Sequence, residues 1–346
     1  MMSGLRVEWH SHGAPGEREG NGRSIRRAYD LNGVTLAIVA SEERYATFLE
    51  PILAPLRCAT SVAHDWSALM LPASTICPPN GGLRIFDGSL PEGLPALMVE
   101  DGQGRILVVP DHFAMRFRRK SQTTEIHFVP GKEGALSGTA AFWMLDDLLA
   151  AHGRHLLHGA LLVDPRTERS VVLFAPSGTG KTTTALALAR SGFCLAGDDA
   201  LVLDSSGDGH GLWAIPRRIK VDRKAATLLP WLGPVLTDSW VNDEQAFELD
   251  ALSPVVTLAT PRRRKVGLVI ALMPPNPVGH SVLPAGKPET LAAIACDNLR
   301  IAPGGVDADN AATLAALARV IAATPVIKLS VGPDPGSLSR ALIGLA

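Results

Sequence analysis

The chain has 346 residues, is 46% hydrophobic and 19% charged, and is long enough for two domains of ordinary size with a substantial core. Its formal net charge of −1 argues against a general nucleic-acid or anionic-membrane surface and leaves only local basic patches to consider. No apolar run approaches a membrane span, and the opening MMSGLRVEWHSHG holds no apolar core of signal-peptide length, so a cytoplasmic protein with no membrane or nucleic-acid partner is expected. Cys58, Cys77, Cys194 and Cys296 are scattered without ligand spacing and read as buried free thiols, not as a zinc site or a disulfide framework.

In chain order, residues 1–27 are polar and Gly-rich and are expected to be a loose lead-in, with His10 and His12 part of a dispersed tail. Val34–Ala40 predicts a buried strand. Residues 42–56 predict a helix interrupted by Pro51 and Pro55. Short strands are predicted at 66–70, 83–86 and 96–99, with a stronger one at 105–109 and a strand or hairpin over 115–128. Together these describe a small mixed α/β domain over 28–131, the natural place to recognise an acceptor. Asp111, His112 and Glu125 are candidates there by residue type only.

Residues 135–152 predict a helix with Phe142, Leu145, Leu148 and Leu149 on one face and Gly153 as its C-cap. The domain boundary is placed just before it, giving a second domain over 132–346. Leu156–Val163 predicts one strand, and Val171–Phe174 the next. After residue 199, strands are predicted near 200–203, 212–215, 266–273 and 325–331. Helical pieces are predicted at 224–229, 243–252, 289–298 and 307–324, with a last helix from Asp334-Pro335 to Leu345.

The chemistry concentrates in Val171–Asp199. Ala175-Pro176-Ser177-Gly178-Thr179-Gly180-Lys181-Thr182 is a Walker A loop with Ala175 in place of the usual first glycine, and a strand precedes it and a helix follows it. Gly178 and Gly180 let the backbone curl so that successive N–H groups face a phosphate, and the helix N-terminus adds partial positive charge. Ser177, Gly178, Thr179, Gly180, Lys181, Thr182 and Thr183 are therefore expected to bind a nucleoside triphosphate. Lys181 would lie on the β/γ-phosphates and the Thr182 hydroxyl on Mg²⁺.

Asp198-Asp199 closes the strand after the P-loop helix, 17 residues beyond Lys181. Paired carboxylates suit phosphoryl transfer to a hydroxyl, since one acid can hold Mg²⁺ and the other can accept the hydroxyl proton. His158 stands in an apolar strand, where a core histidine is the common alternative. Two basic clusters, Arg217-Arg218-Ile219-Lys220 and Arg262-Arg263-Arg264-Lys265, are candidates to stabilise the transferring group, and surface positions are the alternative for both.

His158-Gly159-Ala160-Leu161-Leu162-Val163, then Ser177–Thr182, then Leu195-Ala196-Gly197-Asp198-Asp199 resembles, in order and spacing, the catalytic domain of HPr kinase/phosphorylase. The resemblance covers about residues 155–203. It implies a PEP carboxykinase-like P-loop fold carrying a smaller mixed α/β N-terminal domain. It further implies Asp198 as catalytic base supported by His158, Asp199 near the metal, and a basic residue after the following strand, for which Arg218 is chosen. Asp297-Asn298-Leu299-Arg300 is a poor match to the family's later GRN-type signature, and the N-terminal part is unlike that of the family. The ending looks more like divergent HPr-kinase-related proteins, some of which phosphorylate lasso-peptide precursors.

The expected function is that of an ATP-dependent (or GTP-dependent), Mg²⁺-requiring kinase acting on a Ser/Thr-type hydroxyl of a peptide or small protein. A homo-oligomer is implied by the resemblance alone. The alternatives are a small-molecule kinase on the same scaffold and a nucleotide-dependent binding or scaffold protein.

Overall fold

The computed structural model describes residues 24–60, 63–76, 78–79, 81–176, 178–206, 210–299 and 308–338. His10, His12, Cys77, Ser177, Arg300 and the last helix beyond residue 338 lie outside the described residues, as does most of the N-terminal lead-in. The protein is mixed α/β, and its described residues fall into two compact units, one up to Ala151 and one from His152. Among the described residues no helix is long and apolar enough to cross a membrane.

The first unit is built on one sheet. Its strands are β1 (Ile25–Asp30), β2 (Thr35–Ala40), β3 (Arg57–Cys58), β4 (Trp66–Pro72), β5 (Leu83–Ser89), β6 (Pro95–Asp101), β7 (Gly104–Val109), β8 (Phe113–Arg118) and β9 (Thr123–Phe128), in the order β3-β1-β2-β4-β9-β8-β7-β6-β5. β2, β4 and β9 run parallel, and the remaining pairs are antiparallel. Pro51 and Pro55 divide the helix expected at 42–56 into short turns, α1 (Glu43–Ala46) and α2 (Glu50–Leu53), followed by a 3-10 turn.

Helix α3 (Thr139–Ala151) belongs to this first unit, not to the second domain in which the sequence pattern set it. It buries Leu145, Leu148 and Leu149, and with them Asp147. That acid is tolerated because Arg119 Nη2 lies 2.6 Å and Arg105 Nη1 3.7 Å from its Oδ1. A buried carboxylate without such partners would be costly.

The second unit is a mixed sheet covered on both faces. Its strands are β10 (Arg154–Leu157), β11 (Ala160–Val163), β12 (Ser170–Phe174), β13 (Cys194–Asp198), β14 (Leu201–Asp204), β15 (Gly211–Ala214), β16 (Ile219–Asp222), β17 (Glu244–Phe247), β18 (Arg264–Met273), β19 (Ser281–Pro284) and β20 (Val326–Ser330). The order is β10-β14-β15-β18-β12-β11-β13, with β20 between β18 and β19, and β16 pairs with β17 separately. The helices are α4 (Lys181–Arg190), α5 (Arg223–Leu228), α6 (Lys287–Asn298) and α7 (Ala308–Ala323).

Period-two alternation assigns the faces. Val171 and Leu173 of β12, Ala160 and Leu162 of β11, and Leu268, Ile270 and Leu272 of β18 pack with α4 and α5. Val172, Phe174, Leu161, Val163 and Val269 pack on the other face with Ile294 of α6 and Leu317 and Ile321 of α7. Helix α4 is buried nearly all round, at Thr184 through Ala189, which accounts for its run of small and aliphatic residues.

Two expectations are corrected, and one strand was not foreseen. Leu156–Val163 is not one strand: β10 ends at Leu157 and pairs with β14, whereas β11 begins at Ala160 and pairs with β12 and β13. Residues 243–252 are helical only in a short 3-10 turn at Leu249–Leu252. Glu244–Phe247 pairs with β16, and its buried Gln245 is bound through its side chain to the backbone of Thr237 on both the N–H and the carbonyl; this tertiary pairing outweighs local helical preference. The edge strand β19 carried no clear signal, being short and half-exposed between proline-rich turns.

The chain can break at residues 158–159 because position 159 has no side chain. A Cβ there would stand 2.8 Å from Leu201 Cδ1, 3.1 Å from the Leu173 carbonyl oxygen and 3.2 Å from Phe174 Cε1. Gly159→Ala should therefore cost about 1–3 kcal/mol through overpacking, read as a lower denaturant midpoint; an unchanged midpoint would show that the close packing is relaxed in solution.

Candidate functional site

Strand polarity gathers the site at one end of the sheet. β11 lies between β12 and β13 and is antiparallel to both, so Ala160 stands opposite Leu173 and also opposite Asp198. The residues just before β11, just after β12 and at the end of β13 therefore meet: His158, the P-loop and the acid pair. The neighbouring pair of strands repeats this arrangement, because Leu157 of β10 stands opposite Leu201 of β14. Segments 154–163 and 194–204 thus run side by side, and both leave the ladder at the same place, one at His158-Gly159 and the other at Asp199-Ala200.

The second break has its own backbone signature. Asp199 adopts φ 68°, in the left-handed region, and the Ala200 N–H bonds the Asp198 carbonyl at 2.9 Å. An αL conformation is uncommon for a residue other than glycine, and aspartate is among the residues that tolerate it best. The turn separates the two carboxylates, and their surroundings differ sharply.

Asp198 is buried, 4% exposed, and its Oδ2 accepts a hydrogen bond from the Thr182 hydroxyl of α4. Its Oδ1 is buried and has no hydrogen-bond partner. Burial above all, and then the adjacent Asp199 charge, holds the Asp198 carboxyl above the usual carboxylate range; the Thr182 hydrogen bond and Lys181 act in the opposite direction.

Asp199, with its side chain 35% exposed, faces cations. His158 Nε2 is 3.0 Å from its Oδ1, Lys181 Nζ 3.5 Å from Oδ1, and Arg217 Nη1 3.9 Å from Oδ2. The His158 hydrogen bond is the largest influence holding the Asp199 carboxyl well below its ordinary value; Lys181 and Arg217 add to it, and partial burial opposes it. Lys181 Nζ also lies 2.5 Å from His158 Nε2. That nitrogen serves one neighbour at a time, donating to Asp199 when protonated and accepting from Lys181 when not.

The loop before α4 turns on two glycines with left-handed backbone. Gly178 and Gly180 take φ 78° and 94°. Gly180 is the N-cap of α4 without a side-chain cap, and the Thr184 N–H is the one that returns to the Gly180 carbonyl, at 2.9 Å. The N–H groups of the first turn, at Lys181, Thr182 and Thr183, precede that first helical bond, which is the arrangement that favours an anion. Thr179 N–H bonds the Pro176 carbonyl at 3.2 Å, closing the loop.

The basic clusters divide. Arg218 is exposed and pairs with Glu248 at 2.5 Å, away from the acids. Arg217, its neighbour, is the one directed to Asp199, because the Ile215 N–H bonds the Ala200 carbonyl at 2.9 Å and ties the segment after β15 to the acid turn. Arg262 and Arg264 pair with Glu168, and Arg263 approaches Asp204, so the three arginines of that cluster are taken up in surface and strand-end ion pairs. Sequence reasoning favoured Arg218 over Arg217; the turn that selects between adjacent residues has no local signal.

Among the described residues no group of three or more His, Cys, Asp and Glu side chains is arranged to hold a metal by itself. Thr182 and Asp198 nevertheless set one hydroxyl beside one buried carboxylate with an orphaned oxygen, hard oxygen donors of the kind that suit Mg²⁺. No protein-family model matches the chain, and no curated protein matches it.

His158→Ala should raise the Asp199 carboxyl toward the ordinary carboxylate range, because it removes the hydrogen bond that favours the ionised form. Titration of the carboxyl ¹³C resonance in wild type and variant checks this; an Asp199 curve that does not move would mean that Lys181 and Arg217 hold the carboxylate alone.

Proposed function

We propose that the unit from His152 onward is a phosphotransferase of the HPr-kinase type, on a PEP carboxykinase-like P-loop fold. It would move the γ-phosphoryl group of ATP (or GTP) to a Ser/Thr-type hydroxyl of a peptide or small protein. One observation carries this reading: an uncapped P-loop helix, two carboxylates in opposed electrostatic states and a cluster of His158, Lys181 and Arg217 converge at a single strand break. Pairs of acids whose environments drive their proton affinities apart are characteristic of acid–base and metal-assisted chemistry.

The geometry supports exchanging the roles that the family resemblance implies for the two acids. Asp198 is buried and bonded to the Thr182 hydroxyl whereas Asp199 is partly exposed, so Thr182 and Asp198 are the residues that would hold Mg²⁺. The ion, when bound, supplies charge neutralisation on the phosphates. Asp199 is accessible and becomes the proton acceptor.

In the transfer, the bond from the acceptor oxygen to the γ-phosphorus forms and the bond from that phosphorus to the β-bridging oxygen breaks. The hydroxyl proton goes to the Asp199 carboxylate, and the nucleoside diphosphate leaves. Asp199 is a weak base while Lys181 neighbours it. A triphosphate draws Lys181 away onto its oxygens, which removes one of the charges that weaken Asp199 as a proton acceptor, while the His158 hydrogen bond keeps the carboxylate oriented. Arg217 stands where charge on the transferring group can be stabilised. The readings as a small-molecule kinase and as a nucleotide-dependent scaffold share this nucleotide site and differ in the acceptor.

Incubation with γ-labelled ATP, Mg²⁺ and Ser/Thr-containing peptides, followed by mass spectrometry, should detect a phosphorylated hydroxyl. Asp199→Asn should lower transfer by about 10²–10⁴-fold while nucleotide still binds. Arg217→Ala should reduce kcat more than Arg218→Ala does. Wild-type transfer in Asp199→Asn would sink the base assignment; transfer only to a metabolite would redirect the reading to a small-molecule kinase.

A further inference from the structure

A hydrogen bond from outside the P-loop region holds His158 in place. Because residue 158 falls between β10 and β11, its N–H belongs to neither ladder. Such a donor is costly when left unpaired away from water. It is taken by the Asn298 side chain, whose Oδ1 lies 2.5 Å from the His158 backbone nitrogen, 140 residues away in sequence.

The Asn298 amide is itself fixed. Its Nδ2 donates to the Ile294 carbonyl at 2.9 Å, one turn back in α6, so the oxygen is the atom turned to His158. Ile294 is buried in the core cluster that also holds Leu317 and Ile321 of α7, and this anchors the end of α6 to the sheet face. Asn298 thus transmits the rigidity of the helical layer to one backbone atom at the strand break. The ring of that same residue contacts both Lys181 and Asp199.

We propose that Asn298 is a positioning residue: by holding the His158 backbone it sets the imidazole where it hydrogen-bonds Asp199, and so sets the orientation of the proton acceptor. Misplacement of a supporting group by an ångström is enough to weaken such a constellation. Asn298 touches no reacting atom and acts through His158. Only the activity arm of its test rests on the kinase reading above.

The test compares Asn298→Leu, which keeps the bulk and deletes the acceptor, with Asn298→Asp, which keeps a carbonyl-type oxygen at the same reach. Asn298→Ala, favourable in a helix, serves where leucine does not fold. With ¹⁵N-labelled protein free of nucleotide, the His158 ring resonances should stay wild-type-like in Asn298→Asp and shift or broaden in Asn298→Leu. With Mg-ATP and an acceptor, Asn298→Leu should lower kcat about 10- to 100-fold, the range seen when supporting hydrogen bonds around reactive groups are lost. The KM for ATP should stay within about twofold, since the P-loop is not touched, and Asn298→Asp should restore most of kcat. Unaltered His158 resonances in Asn298→Leu would overturn the proposal, as would equal losses in the leucine and aspartate variants or a fall in kcat matched by a rise in KM. A wild-type protein that transfers no phosphoryl group would count against the kinase reading, and the ring resonances would still decide the role of Asn298.

Discussion

The second unit depends on two adjacent strands giving up their pairing at the same place. Segment 154–163 and segment 194–204 are hydrogen-bonded neighbours on both sides of the break, through β10 with β14 and β11 with β13. At the break itself the backbone groups must find other partners. Asn298 takes the His158 N–H, the Asp198 carbonyl takes the Ala200 N–H, and the Ala200 carbonyl takes the Ile215 N–H. The first and the last of these bonds bring a further segment to the site, α6 and the turn carrying Arg217 respectively. The discontinuity is thus what recruits side chains from distant parts of the chain.

Electrostatics then divides the two neighbouring acids. Two carboxylates in sequence repel, and burial of both would be prohibitive without partners. The αL turn at Asp199 turns one toward the cations and leaves the other under α4. Asp199 favours its ionised form in the folded state, which contributes stability above the unfolded carboxylate range and loses it as pH falls. Asp198 has the opposite sign and burdens the fold at neutral pH. A buried carboxylate oxygen without a partner is rarely kept unless something else occupies its lone pairs at work, and the Thr182 hydroxyl beside it fits a hydrated cation in that role.

Much of the scaffold was legible from pattern. The strand before the P-loop, the small-residue helix after it and the apolar strand at 264–273 follow from alternation and composition, because a strand buried on both faces and a helix buried nearly all round need apolar residues throughout. The helix over 139–151 was also legible, but its allegiance was not. Asp147 on its buried side is matched by Arg105 of β7 and by Arg119 of the turn after β8, and such long-range ion pairs leave no mark in local periodicity. Strand β17 was hidden for a similar reason, since its pairing with β16 and the Gln245–Thr237 bonds are nonlocal.

By itself, the sequence determined that a glycine-rich loop of Walker A pattern, an acid pair and a histidine occur in an order and spacing able to meet, because loop glycines, flanking apolar runs and the length of one helix are local properties. Only the tertiary structure decided which neighbour faces what: Asp199 and not Asp198 toward Lys181 and His158, Arg217 and not Arg218 toward Asp199, and a break where one strand was expected. Adjacent residues differ by the direction their side chains take, and here that direction is set by a left-handed turn at Asp199, a glycine packed against Leu201 and the Leu173 carbonyl, and backbone bonds to residues far along the chain.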